Sequence, residues 1–233
     1  MLSVTGLETY YGLAHVLSGV GLTVNRGEVV VLLGRNGAGK STTMKSVMGL
    51  VAPADGAIAF QDQSIRGMPP QRIARLGMGY VPEDRRVFPD LTVLENLEVG
   101  RQPMREGVPH WTPDDLFALF PNLAELRHRP AGRMSGGEQQ MLTIARTLMG
   151  HPALILLDEP SEGLAPVIVE QMARTIATLK REGLSVLLSE QNLRFATEVS
   201  DRAYILEKGR IRYEGPMAAL SEDEEVRRAY LTL

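Results

Sequence analysis

The sequence predicts an α/β fold with a mixed sheet and N-terminal antiparallel strands, and three observations carry that expectation. An apolar, β-branched run, Val29-Val30-Val31-Leu32-Leu33, leads into a glycine-rich turn and then into a segment of helical character over 42–48. A second apolar run, Ala153-Leu154-Ile155-Leu156-Leu157, ends in the acids Asp158-Glu159. Between them, over about residues 84–150, β-rich segments give way to helical ones, as a helical insertion in a sheet-based core would. At 233 residues the chain is long enough for one large domain with a substantial core, expected to span 1–233.

Taken in order, residues 4–11 mix β-branched and aromatic side chains and read as an early strand, with a turn at Gly12. Residues 16–24 alternate loosely through Val16, Val20, Leu22 and Val24, then turn at Asn25-Arg26-Gly27; this is expected to be an antiparallel strand leading into 29–33. Gly49 supplies a stop for the helix that follows the glycine-rich turn, and a short strand over 57–60 follows the turn Ala54-Asp55-Gly56. Pro69-Pro70 opens a helix through Leu76, because proline is tolerated in a first helical turn. Residues 78–81 form a short strand that ends at Pro82.

Thr92 is placed to cap a helix over 93–97, a second helix covers 113–120, and 100–112 is loop. Residues 136–149 carry an apolar stripe of Met141, Leu142, Ile144, Ala145 and Leu148 at helical spacing. After the strand at 153–158, a long helix from Pro166 puts Ile168, Met172, Ile176 and Leu179 on one face. Residues 184–188 form another buried strand and 193–199 a helix. A hairpin joins 202–207 to 210–214 across Lys208-Gly209, and 222–230 is a charged C-terminal helix.

Composition excludes several classes of function. Net charge is −3, so no global basic bias argues for nucleic acid. Cysteine is absent, which removes disulfides and cysteine-based metal sites. The N-terminus lacks a basic segment followed by an apolar core, and the apolar runs are far too short to span a bilayer. The expectation is a protein soluble by itself, brought to any membrane through a partner.

Chemistry enters at Gly34-Arg35-Asn36-Gly37-Ala38-Gly39-Lys40-Ser41, followed by Thr42. Strand, glycine-rich turn and helix, in that order, form the context of a P-loop. The glycines let backbone N–H groups converge on one anion, and the new helix adds the positive end of its dipole there. Lys40 can then reach the β- and γ-phosphates, and the Ser41 hydroxyl can ligate Mg²⁺. These residues predict a nucleoside triphosphate site. Asp158 and Glu159, at the end of an apolar strand, would face it across the ends of a parallel sheet. Asp158 suits Mg²⁺, and Glu159 would lie near an attacking water as general base.

The stretch Met134-Ser135-Gly136-Gly137-Glu138-Gln139-Gln140 lies between those two elements and resembles the LSGGQ signature of ATP-binding-cassette (ABC) ATPases. The resemblance covers nearly the whole chain and implies a RecA-like core over about 1–83 and 151–233, with the ABC helical subdomain over about 84–150. It implies that ATP is sandwiched between the P-loop of one domain and the Ser135, Gly136, Gly137 and Glu138 loop of another, facing head to tail. It also implies that Tyr11 stacks on adenine, although Tyr10 competes from the sequence, and that Ser161-Glu162-Gly163-Leu164 crosses the dimer interface.

Three positions depart from the common pattern of that family. Its glutamine after the Val-Pro strand end is Glu83 here, which offers oxygen and extra charge to Mg²⁺. Its switch histidine is Gln191, able to donate a hydrogen bond to the γ-phosphate but unable to titrate. The last residue of its signature is Glu138. These features resemble the smaller ATPase subunit of bacterial branched-chain amino acid importers, the LivF type. They are Val81-Pro82-Glu83 before Arg85-Arg86-Val87-Phe88, the Gly-Leu-Ala-Pro ending at Pro166, Glu190-Gln191-Asn192 and the closing Ala229-Tyr230-Leu231.

Urea and amide importers have closely related subunits, and a non-transport cassette ATPase or a regulatory subunit with little turnover are further alternatives. The LivF resemblance implies a LivG-like second ATPase, two membrane permeases and an extracytoplasmic solute-binding protein. The subunit itself would sit on the cytoplasmic face of the bacterial inner membrane.

Overall fold

Strands that are apolar at every position suit a sheet with both faces covered, and the central strands of this protein are used in that way. The computed structural model describes residues 1–231, so the last two residues of the expected domain lie outside the described residues. The chain opens with the antiparallel pair β1 (Leu2–Tyr11) and β2 (Ala14–Val24), then β3 (Val29–Leu33) and α1 (Lys40–Val47). It continues through β4 (Asp55–Phe60), β5 (Gln63–Ser64), α2 (Pro70–Arg75) and β6 (Met78–Val81). A run of helices follows: α3 (Val93–Gly100), α4 (Pro113–Leu119), α5 (Pro121–Glu125), a 3-10 turn (Ala131–Arg133) and α6 (Gly136–Leu148). The chain returns as β7 (Leu154–Asp158), α7 (Pro166–Arg181), β8 (Ser185–Glu190) and α8 (Leu193–Val199). It closes with β9 (Arg202–Glu207), β10 (Arg210–Pro216), α9 (Met217–Glu222) and α10 (Glu224–Tyr230).

Two sheets result. One is antiparallel, in the order β2-β1-β4-β5; the other has the order β10-β9-β3-β8-β7-β6. In the second, β3 runs parallel to β8 and β9, β7 runs parallel to β6 and β8, and β10 alone is antiparallel. The period of two along each strand divides its side chains between two cores. Val29, Val31 and Leu33 join Ile155, Leu157 and Leu188 against Met172 and Ile176 of α7. Val30 and Leu32 face the other way, with Leu154, Leu156 and Leu187, against Met44 of α1 and Val4 of the antiparallel sheet. Truncating one such leucine to alanine costs about 2–5 kcal/mol, so both layers bind the central sheet firmly.

The parallel strands end on one side, where β3, β6, β7 and β8 deliver their C-termini together. Leu33 pairs with Glu190, Asp158 with Ser189, and Val81 with Leu157. This is the side on which an open α/β sheet binds its ligands. Helix α6 is tied to the segment that leaves β6 on the same side. Arg146 of α6 donates to the Arg86 carbonyl at 2.7 Å, and the Thr143 hydroxyl donates to the carbonyl of Arg85.

The expected helix over 222–230 is present as α10, starting two residues later: Asp223, at φ −84° and ψ 89°, caps it by accepting from the N–H of Val226, and a separate short helix, α9, precedes it. Local capping at Asp223 outweighed the helical character of its neighbours. α1 starts at Lys40, two residues before the run that composition marks, since a first turn needs no intrahelical N–H partner. β8 reaches Glu190, two residues past its apolar run, because pairing with β3 and β7 holds polar residues in the sheet. β5, α5, α9 and the 3-10 turn are too short to leave a periodic signal.

Candidate functional site

The turn between β3 and α1 is shaped by close approach. A side-chain carbon on Gly34 would collide with the Leu206 carbonyl oxygen, and one on Gly39, at φ 112°, would lie 2.7 Å from Leu17 Cδ2. Glycine is the residue that fits both positions. Gly39 precedes the first turn of α1, so Lys40, Ser41 and Thr42 carry the N–H groups that the helix leaves unpaired. Asn36, Gly37 and Ala38 complete the loop, closed by a bond from the Ala38 N–H to the Arg35 carbonyl at 3.1 Å.

Lys40 points back across that loop. Its ammonium donates to the carbonyls of Gly34 at 2.8 Å and Arg35 at 3.1 Å and pairs with Glu159 Oε1 at 3.1 Å. The lysine and glutamate side chains are 2% and 6% exposed, so this charge pair is shielded from water. Three donors meet three acceptors. Glu159 thus engages one of the lysine's three donors, and any anion that drew Lys40 away would release Glu159.

 Asp158 is held by hydroxyls from β8, α1 and β6. Ser189 donates its hydroxyl to Asp158 Oδ1 at 2.6 Å, and Ser41 donates to the same oxygen at 3.0 Å. Tyr80 of β6 donates to Asp158 Oδ2 at 3.1 Å. A carboxylate oxygen and a hydroxyl oxygen thus stand side by side at the start of α1. They suit a hard cation, and Mg²⁺ is commonly held by one or two carboxylates together with substrate phosphates.

Glu159 itself sits at φ 47°, in the left-handed region that non-glycine residues seldom occupy. Its N–H donates to the Ser189 carbonyl at 3.1 Å and to the Ser189 hydroxyl at 3.0 Å, which hold this turn in place. Its second carboxylate oxygen accepts from Gln191 Nε2 at 3.1 Å. The base candidate is therefore held between Lys40 and Gln191, the two side chains best placed to turn toward a γ-phosphate.

Glu190 ties this arrangement together. It is 1% exposed, and its carboxylate accepts the N–H groups of Ser161 at 3.1 Å and of Gln191 and Asn192 at 3.2 Å each. Its carbonyl accepts from the N–H of Gly34 at 3.3 Å. One buried residue thus touches the P-loop, the Ser161 loop and the segment bearing Gln191. Burial pushes its carboxyl pKa up, against the pull of these hydrogen bonds. Glu162 is raised as well, through burial first, then a hydrogen bond to Glu159 and the charges of Glu159, Glu83 and Glu190.

The remaining expected residues lie apart from this centre. Glu83 is exposed just beyond β6, with no hydrogen bond to Ser41 or Asp158 among the described residues. Ser135 caps α6, and Glu138 closes a capping box: its carboxylate accepts from the Ser135 N–H at 2.7 Å, while its own N–H donates to Ser135 Oγ at 3.4 Å. Gly136 and Gly137 keep their first-turn N–H groups outside that box. Tyr10 stacks on His15 with ring centroids 4.2 Å apart, whereas Tyr11 is 48% exposed with no ring contact among the described residues.

Tyr80, Ser189 and Glu190 were assigned no role from the sequence. Ser189 and Glu190 stand beside Gln191 in the chain, which was the available signal. Nothing in the strand Met78–Val81 marks the tyrosine.

The ABC transporter family profile matches residues 17–162. The high-affinity branched-chain amino acid transport ATP-binding protein BraG of Pseudomonas aeruginosa is 46% identical over 231 residues, covering 99% of each chain. The lipopolysaccharide export system ATP-binding protein LptB of Haemophilus influenzae is 38% identical over 234 residues, covering 99% of this chain and 97% of that one. Among solved structures, MJ1267, an ATP-binding cassette of an ABC transporter, superposes with a TM-score of 0.83 at 27% identity, covering 98% of this chain and 97% of that one. The fold is that of the P-loop cassette ATPases, whose members work as dimers with membrane permease subunits. The chain belongs to the ABC transporter family, as an ATP-binding subunit that hydrolyses ATP to power transport.

Proposed function

We propose that this subunit powers the uptake of branched-chain or related hydrophobic amino acids. The observation that carries the reading is full-length identity of 46% to a branched-chain amino acid transport subunit, against 38% to a lipopolysaccharide export subunit. Its partners in this reading are a LivG-like second ATPase, two permeases and, indirectly, an extracytoplasmic solute-binding protein. The subunit then works at the cytoplasmic face of the inner membrane. None of its helices is long and apolar enough to cross a membrane among the described residues, so attachment runs through the permeases.

Each site residue has a role in this reading. The loop Gly34, Arg35, Asn36, Gly37, Ala38, Gly39, Lys40, Ser41 and Thr42 wraps the triphosphate, and Tyr11 stacks on adenine. Ser41 and Asp158 hold Mg²⁺, with Glu83 approaching as the two domains close. The metal supplies charge neutralisation at the phosphates. Lys40 moves from Glu159 to the phosphates, Gln191 turns to the γ-phosphate, and Glu159 accepts a proton from the attacking water. Ser135, Gly136, Gly137 and Glu138 serve the nucleotide bound by the partner domain, with the two glycine N–H groups as free donors.

The helical stretch, residues 84–150 in this reading, forms a subdomain that meets the permeases. A groove of about 540 Å³ lies between it and the sheet-based core, bordered by Met48, Arg75, Tyr80, Phe88, Val99 and Arg146. Phe88 and Val99 are exposed apolar side chains there, which favours a cytoplasmic segment of a permease as occupant.

Uptake assays in membrane vesicles test the substrate. With permeases, second ATPase and binding protein present, labelled leucine should enter only with ATP, and Glu159→Gln should abolish entry. ATP-dependent entry of urea with none of leucine would reassign the substrate class. Purification without any membrane subunit would overturn the importer reading.

A further inference from the structure

Three hydroxyls hold Asp158, and they come from three different elements: Ser41 from α1, Ser189 from β8 and Tyr80 from β6. Ser41 and Ser189 belong wholly to the nucleotide side. Tyr80 does not, because its side chain also borders the groove between the core and the helical stretch. Its ring packs among the residues covering the α1 face of the sheet, and its backbone pairs with Leu156, two residues before Asp158.

We propose that Tyr80 is a positioning residue that links occupancy of the groove to the orientation of Asp158. This rests on the reading of the groove as the permease contact. A segment seated in the groove bears on the ring, and the ring is rigid from the groove to its hydroxyl. A displacement at the groove therefore arrives at Asp158 Oδ2, while Ser41 and Ser189 hold Oδ1. Misplacement by about 1 Å can cost about 10²-fold in rate, so a small shift of this carboxylate is enough to gate turnover. Burial and the neighbouring Asp158 raise the tyrosine pKa, so the hydroxyl keeps its proton and remains a donor throughout the physiological range.

Tyr80→Phe tests the link, since it keeps the ring in place and removes the hydroxyl. The readout is ATPase activity of the assembled transporter with and without solute-loaded binding protein, expressed as a stimulation ratio. The ratio should collapse toward one in Tyr80→Phe, with copurification of the permeases unchanged. A ratio equal to that of the wild type overturns the proposal, even where both rates have fallen together. The groove itself is tested separately with Val99→Arg, at an exposed position on its wall. Loss of copurified permeases supports the docking reading. Retention of the permeases with wild-type transport removes that reading and, with it, the basis of the tyrosine link.

Discussion

The two glycine-rich loops of this protein do their work under opposite conditions. Around Lys40 the charged side chains already have partners. The ammonium is shared by Gly34, Arg35 and Glu159, and Glu159 is shared in turn by Gln191. Around Ser135 the bonds close on themselves: the capping box satisfies Ser135 and Glu138. In the proposed reading the first loop exchanges internal partners for a nucleotide, so that binding and release of Glu159 are one event. The second loop is preorganised and has little to rearrange. A cleavable ligand gains most when a site that must open meets one that is already set.

The contrast can be broken most sharply at Glu159. Glu159→Gln should cut single-turnover ATP hydrolysis by about 10²–10³-fold, the scale of a lost general base. ATP affinity should hold or rise, because Lys40 is released from a charged partner. A weaker nucleotide titration would mean that the ion pair assists binding and does not compete with it.

Ser135→Ala probes the preorganised loop. It removes one half of the capping box and should cost about 1 kcal/mol, lowering Tm by about 2–4 °C. ATP affinity of the chain's own P-loop should not change, as a nucleotide titration beside thermal melts will report. A parallel loss of affinity would place the two loops of one chain in a common site.

The smallest effect is expected at Glu190. Its folded pKa lies above the ordinary 4.5, so its contribution to stability is fully present below 4.5 and is lost as pH rises through the folded value. The Tm difference, Glu190→Gln minus wild type, should therefore become more positive as pH rises from 4.5 and then level off. A difference that falls over that window would show that the three N–H bonds outweigh burial.

The fold was largely legible because its signals are local or periodic. The apolar strands β3 and β7, the stripe on α6 and the cap at Thr92 declare themselves in short windows. Asp223 shows where boundaries blur: a capping aspartate within a charged run moves the start of the helix to Glu224. The site was legible in its glycine-rich turn, Lys40, Ser41, Asp158 and Glu159, which sit at recognisable offsets. Ser189, Glu190 and Tyr80 were not, because a serine, a glutamate and a tyrosine at strand positions have no distinctive spacing.

What the sequence by itself determined is which strands are buried on both faces and where the glycine-rich turns stand before helices. Both are properties of residue type and spacing along the chain. Tertiary structure decided which side chains share a hydrogen bond. Asp158 meets Ser189, Ser41 and Tyr80 because β6, β7 and β8 end where α1 begins, and Lys40 meets Glu159 across 119 positions of chain. Strand order and register set those meetings, and no local pattern encodes either.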